Sequence, residues 1–301
     1  MATETRFETG SSKAVSDSEA ADLLTVEQMA QFVLDGYLEF DNLIPEELNQ
    51  AVYEDQLKSV SGSELKDEFR WHQVDNPNGF YEHSAAVREV HNLPAVKAIV
   101  QSLVGPKPRH NHSAMHVTPP HKQESQQWHV DGGGRRKTRL KHDHPYHFDV
   151  LTAYFTHDVP YEMGPTLILP GSHMRHVLGG DVARYKNVVG QKRLEGKGGR
   201  IAFIHDAMWH CAQPNQTDKT RFMFKIQFRP SVPQQNLFNT EGWASQEIRN
   251  YFLRHRTKHS LTGEWSAQAP DMIDWWHYLC GQEPLHDPSG LGTPADVLWL
   301  E

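Results

Sequence analysis

The sequence predicts a mainly β domain, a sandwich or barrel, with helices contributed from both ends of the chain. Three observations predict it. Between residues 112 and 229, short runs rich in β-branched and aromatic residues alternate with Gly, Pro, Asn and Asp, as short strands joined by turns would. No helical period separates those runs, which argues against a doubly wound parallel sheet. Apolar residues at helical spacing precede residue 105 and return after residue 232.

In chain order, residues 1–22 are polar, small and aperiodic, and are expected to form a disordered leader. Residues 23–301 are expected to form one domain, with core strands over about 112–229 and a helical extension over 232–301. Thr25 and Gln28 match a capping box, so a helix should open there. Val26, Met29, Ala30 and Val33 continue it at helical spacing, and Gly36 stops it. Tyr37–Phe40 reads as a short strand. Pro45 with Glu46 and Glu47 suits the N-terminus of a second helix, running to about residue 58. Pro94 opens a third, with Val96, Ile99, Val100, Leu103 and Val104 on one face and Gly105 at its end.

The strand-like runs are Val150–Thr156, Thr166–Leu169, Arg200–Ile204 and Arg221–Phe228. In the last, Phe222, Phe224, Ile226 and Phe228 alternate with Arg221, Met223, Lys225 and Gln227, which gives a strand two unlike faces. The polar face is expected to look into a cleft, and the phenylalanine face to pack against helices. Met272, Trp275, Trp276 and Leu279 then mark a C-terminal helix that Gly281 stops. It is expected to pack on the barrel, and an oligomer interface is the alternative use for its tryptophans.

The chain has 301 residues, 38% of them hydrophobic, and a formal charge of −8, which argues against nucleic-acid binding. Two cysteines, Cys211 and Cys280, cannot frame a disulfide-rich fold. No apolar run has the length of a membrane span, and no signal-peptide pattern follows Met1, so the expected location is the cytoplasm. The 20 histidines invite metal hypotheses and also make accidental motifs easy to find.

Two His-x-Asp triplets occur, His129-Val130-Asp131 and His147-Phe148-Asp149. Residues i and i+2 on a strand point the same way, so either pair could offer two ligands to one ion. His210 is the best third ligand, because it ends the strand-like run Gly199–Trp209 and precedes the turn Gln213-Pro214-Asn215. His205 is the competing histidine and reads better as a strand or core residue. Two histidines and one carboxylate suit non-haem Fe(II), leaving three adjacent positions for a chelating cosubstrate and O2. Zinc would more often add a third His or a Cys. Cys211 is next to His210, but neighbouring strand residues point apart. Arg221, eleven residues after His210, offers a bidentate fork for the distal carboxylate of 2-oxoglutarate, against the simpler reading of a strand-end arginine in a surface ion pair.

The runs WHVD (128–131), GPTLILPGSH (164–173) and HCAQPNQTDKTR (210–221), with the opening LTVEQMAQFVLDGYLEF (24–40), together resemble the phytanoyl-CoA dioxygenase family. The resemblance covers roughly residues 24–229, with the motifs in order. It implies a double-stranded β-helix (jelly-roll, cupin-like) core and an Fe(II)/2-oxoglutarate-dependent oxygenase, with O2 as co-reactant and ascorbate as a reductant in vitro. Carried over by position, the metal ligands are His129, Asp131 and His210, and the cosubstrate anchor is Arg221. Trp128 before the metal histidine settles the choice between triplets. Halogenating relatives replace the ligating carboxylate with a small residue, so Asp131 implies hydroxylation-type chemistry.

Other residues are candidates against blander readings. Met115, His116 and Thr166 line the cosubstrate pocket or merely fill the barrel. His173 and Arg175 contact substrate or merely cap a loop. Gly132–His147 is glycine-led and basic, and forms either a lid in which Arg135 and Arg136 meet an anionic or carbonyl-bearing substrate, or a solvated loop. The expected reaction is hydroxylation of an unactivated C–H bond of a small molecule, a natural-product intermediate or small polar metabolite, with 2-oxoglutarate going to succinate and CO2. Desaturation or oxidative cyclisation, a 2-oxoglutarate-independent metal jelly-roll enzyme, and a non-catalytic binding protein are the alternatives. Monomer and homodimer both stay open.

Overall fold

The structure, a computed structural model, describes residues 22–61, 72–74, 79–131, 147–174, 186–259 and 272–283. The expected leader, Asp22 apart, lies outside the described residues.

Helix α1 (Val26–Asp35) opens as the sequence requires. Thr25 Oγ1 accepts from Gln28 N at 3.3 Å, while Thr25 N donates to Gln28 Oε1 at 2.9 Å, so two N–H groups without helical partners are satisfied. Gly36 ends the helix with φ of 80°, and a Cβ there would collide with the His173 ring and the Met208 methyl. The chain then enters strand β1 (Tyr37–Phe40) and helix α2 (Glu46–Val60). Strand β2 (His72–Val74) precedes three helices, α3 (Gly79–His83), α4 (Ala85–Asn92) and α5 (Pro94–Val104). Of these three, the periodicity read above gave only α5. The other two are short, which leaves too few turns for a period to show.

The remaining strands are β3 (Arg109–Thr118), β4 (Val150–Phe155), β5 (Leu167–Ile168), β6 (Lys192–Arg193), β7 (Arg200–His205), β8 (His210–Cys211) and β9 (Arg221–Arg229). The larger sheet has the order β1-β7-β4-β9-β3-β2, and the smaller is β6-β5-β8. All pairings are antiparallel. An antiparallel bridge between His129 and His210 adds a further rung to the smaller sheet beside β8. From β3 onward the chain crosses back and forth between the sheets: β3, the bridge at His129, β4, then β5 and β6, β7, β8 and finally β9. That winding is a jelly roll. Tyr37, Leu151, Phe155, Ile168, Ala202 and Met223 belong to the buried cluster that fills it.

The faces of β9 separate as their alternation predicts. Phe224 packs 5.5 Å from Phe80 on α3 and 5.6 Å from His91 on α4, and Phe222 lies 6.1 Å from Tyr53 on α2 (ring centroids). Burying each such ring contributes roughly 1.5–3 kcal/mol. The opposite face looks between the sheets. Beyond β9, helix α6 (Gln246–His259) and a last helix, α7 (272–279), lie against the core. Trp275 meets Phe148 at 5.3 Å and Trp276 meets Phe252 at 5.6 Å, both nearly inaccessible. Trp275 and Trp276 therefore pack within the chain.

Candidate metal centre

His129 and His210 sit opposite each other on adjacent rungs. His129 N donates to His210 O at 3.1 Å and His210 N to His129 O at 2.9 Å, which fixes their rings 4.4 Å apart at 51°. Their sequence neighbours alternate away: Trp128, Trp209 and Cys211 form an apolar cluster on the other side of the small sheet. Cys211 therefore does not face the ion site, and burial pushes its thiol up to about 12.

Both rings are oriented in the same way. His129 Nδ1 donates to Gln127 O and His210 Nδ1 to Met208 O, each at 2.9 Å. A carbonyl only accepts, so the proton lies on Nδ1 and the Nε2 lone pair is left for a metal. Asp131 Oδ1 lies 3.9 Å from His129 Nε2, and Oδ2 lies 3.8 Å from His210 Nε2. Among the described residues these three form the group able to hold a metal, with ligand atoms within 4.8 Å of one another. Burial lowers the His210 imidazole to about 4, so it stays neutral and available as a ligand at neutral pH. Burial alone would raise the Asp131 carboxyl, but His210, Lys225 and His129 outweigh it and hold the group well below the usual carboxylate range.

The second triplet serves the frame. Phe148 is core, and Asp149 Oδ2 accepts from Gln227 Nε2 and Arg229 Nε, both at 3.0 Å. His205 stacks on Phe148 at 5.1 Å, and its Nδ1 accepts from Ala207 N at 3.0 Å.

A cavity between the sheets is lined by His129 and His210 and by Arg221, together with His116, Thr166, Leu151, Met223 and Lys225. Arg221 is 2% exposed. Its Nη1 donates to Gly164 O and its Nη2 to Thr118 Oγ1 at 2.9 Å, while its Nε is buried without a partner. Burial pushes the guanidinium down to about 10, which leaves it charged at neutral pH. Gly164 has φ of 69°, and a Cβ on it would run into the Pro214 carbonyl, so the GPT turn depends on glycine there.

The other candidates divide. His116 lines the cavity with a buried, unpartnered Nε2, and Thr166 lies within it, its Oγ1 directed at Met223 Sδ at 3.8 Å. Met115 is corrected: it pairs across from Phe224 and is fully buried on the opposite face, one residue out of phase with the cavity. His173 is corrected too. It is buried beneath α1, its Nε2 bonded to Val33 O at 3.0 Å and its ring 5.9 Å from Trp275, in the packing and not in the cavity. Arg135, Arg136 and Arg175 lie outside the described residues, as does the lid segment except His147. Thr118 also lines the cavity and was not singled out above; register reveals it, since Thr118 pairs with Arg221, whereas Lys225 lies on the face of β9 already expected to look into a cleft.

A protein-family model described as phytanoyl-CoA dioxygenase (PhyH) matches residues 32–223. Solved structures of similar fold include the non-heme alpha-ketoglutarate-dependent carbocyclase SnoK of nogalamycin biosynthesis. It has a TM-score of 0.52 and 19% identity, with 69% of this chain and 85% of SnoK covered. HygX from Streptomyces hygroscopicus, solved with nickel and 2-oxoglutarate, gives 0.55 and 16%, covering 70% of this chain and 88% of HygX. EctD from S. alaskensis, with 2-oxoglutarate and 5-hydroxyectoine, gives 0.55 and 16%, covering 73% and 79%. At such identities the likeness is one of fold. No curated protein sequence matches the chain. Among the described residues no helix is long and apolar enough to cross a membrane.

Proposed function

The chain belongs to the phytanoyl-CoA dioxygenase family of Fe(II)/2-oxoglutarate-dependent oxygenases, and from that premise we propose that it hydroxylates an unactivated C–H bond of a small-molecule substrate. His129, Asp131 and His210 would hold the metal, and Arg221 would anchor 2-oxoglutarate. One observation carries this reading: a cavity lined by His129 and His210, the two histidines grouped with Asp131, also reaches a buried arginine whose Nε has no partner. The donor set fits iron(II), because two imidazoles and a carboxylate on one side leave three positions open. Bound there, the metal supplies O2 activation that couples decarboxylation of 2-oxoglutarate, to succinate and CO2, to oxidation of the substrate.

The chain's own residues do the rest. Arg221 and Thr118 line the cavity side by side, and their guanidinium and hydroxyl, 2.9 Å apart, would receive the distal carboxylate of 2-oxoglutarate. Burial, with Lys225 beside it, pushes the His116 imidazole down to about 3, so it acts as a neutral hydrogen-bonding group. Leu151, Ala153, Ile204 and Met223 give the cavity apolar walls. Asp131 retains the carboxylate that hydroxylation-type chemistry uses. The fold likeness to HygX, solved with 2-oxoglutarate and nickel, supports the cosubstrate assignment.

Desaturation or cyclisation begins from the same C–H bond, and the carbocyclase SnoK and the epimerase SnoN share the fold. Product analysis separates these outcomes. The test of the main reading is a screen of small molecules for stimulated succinate formation with Fe(II), ascorbate and O2. The parent protein should form succinate and Arg221→Ala should not. Equal succinate from both would sink the anchor assignment, and none from the parent would sink the reaction class.

A further inference from the structure

Lys225 lies on the cavity face of β9, four residues beyond Arg221 and close to the triad. Its Nζ donates to Asp131 Oδ2 at 2.8 Å, and the two side chains are 11% and 20% exposed. Its cross-strand partners are Ala114 on β3 and Ala153 on β4, both buried. Two such small neighbours leave a slot along the sheet, through which the lysine methylenes reach the carboxylate. Burying an ammonium is costly and pairing only partly offsets it, so stability alone is a poor reason for this lysine.

The geometry of Asp131 gives a better one. Its two oxygens lie at nearly equal distances from the two imidazoles, Oδ1 at 3.9 Å from His129 Nε2 and Oδ2 at 3.8 Å from His210 Nε2. An ion held between the rings is therefore within reach of one oxygen or of both. A carboxylate ligating through both takes an extra coordination position, whereas a chelating cosubstrate and O2 need three. Among the described residues, Lys225 is the one whose ammonium bonds to Asp131.

We propose that Lys225 is a positioning residue that reserves Oδ2, so that Asp131 ligates through one oxygen and the place of the second stays open to 2-oxoglutarate. The proposal rests on the Fe(II)/2-oxoglutarate reading of this site. It makes a distinctive demand: without the lysine, the metal is kept and the cosubstrate is weakened. Removing a positive charge beside the triad favours a divalent cation, while the freed oxygen competes for the cosubstrate's position.

The experiment is an anaerobic titration with 2-oxoglutarate of the Fe(II)-loaded parent, Lys225→Met and Lys225→Arg, following the absorbance of the metal–cosubstrate complex, with iron content measured in each. The parent's band tests the underlying reading by itself. The methionine variant should hold as much iron as the parent, bind 2-oxoglutarate at least about tenfold more weakly and show a shifted band, as expected for one lost charge-assisted interaction. The arginine variant keeps a donor and should stay within about threefold of the parent. Should the methionine variant not fold, Lys225→Gln, neutral and too short to reach Oδ2, carries the same expectation. Unchanged cosubstrate affinity and band in the neutral variants would overturn the proposal, and so would loss of iron from them. A parent with no band overturns the underlying reading, and this proposal with it.

Discussion

The two faces of β9 hold the same strand in place by different means. Phe222, Phe224, Ile226 and Phe228 press against α2, α3 and α4, where apolar burial favours folding. Arg221, Met223, Lys225 and Gln227 look between the sheets, where two buried cations work against folding unless their partners are well placed. The lesson is a division of labour at single-residue resolution. The apolar face packs the strand onto the helices, and the other face carries its charged groups into the cavity. A slip of one residue would exchange the two sets.

The comparison breaks most visibly on the apolar side. Phe224→Ala should lower stability by about 4 kcal/mol, read as a shift in the urea midpoint, because it empties a site packed by Phe80 and His91. Cosubstrate affinity of the folded fraction should stay within about threefold of the parent.

The next effect comes from His91, beneath the same face, whose imidazole burial pushes down to about 4. The unfolded chain takes up this proton near pH 6.5 and the folded chain only near pH 4. Stability from this group is therefore complete above pH 6.5 and falls as the pH drops towards 4, by about 3 kcal/mol. Urea midpoints across that window should show the loss, and His91→Leu should flatten it. An unchanged slope in the variant would remove His91 as the cause.

On the cavity side, Arg221→Met should weaken 2-oxoglutarate by about a hundredfold while the metal still binds, since it deletes the charge-assisted hydrogen bonds that the proposed anchor would make to the distal carboxylate. Its melting temperature should move less than that of Phe224→Ala. The smallest effect is Thr118→Val, which removes one hydroxyl beside Arg221 and should weaken 2-oxoglutarate by about five- to tenfold, measured by calorimetry. A larger loss of stability than of affinity in these two variants would contradict the division of the faces.

Much of this was legible in the chain where the signal is local. The Thr25–Gln28 box, the Gly36 stop and the β9 alternation need no partner to be read, and each appears in the structure as expected. The grouping of His129, Asp131 and His210, and the place of Arg221 in the same cavity as the two histidines, follow the order and spacing of the motifs. What stayed hidden depended on register. Met115 and His116 look equally suited to the cavity until β3 pairs with β9, which sets Met115 opposite Phe224 and His116 opposite Met223. Thr118 emerges in the same way, opposite Arg221. His173 was misread because its partner, the Val33 carbonyl, lies 140 residues away. Strands β5, β6 and β8 have two residues each, too short for any period to mark their edges.

The proposed function requires the triad and Arg221 to form one ligand site. Calorimetric titration of 2-oxoglutarate into metal-free and Mn(II)-loaded protein tests it most directly, because a ligand touching both ends must couple to the metal. Binding should be at least about tenfold tighter with the metal present, with an equal gain in metal affinity when 2-oxoglutarate is present. Equal affinity in both forms, or no binding to either, would contradict it.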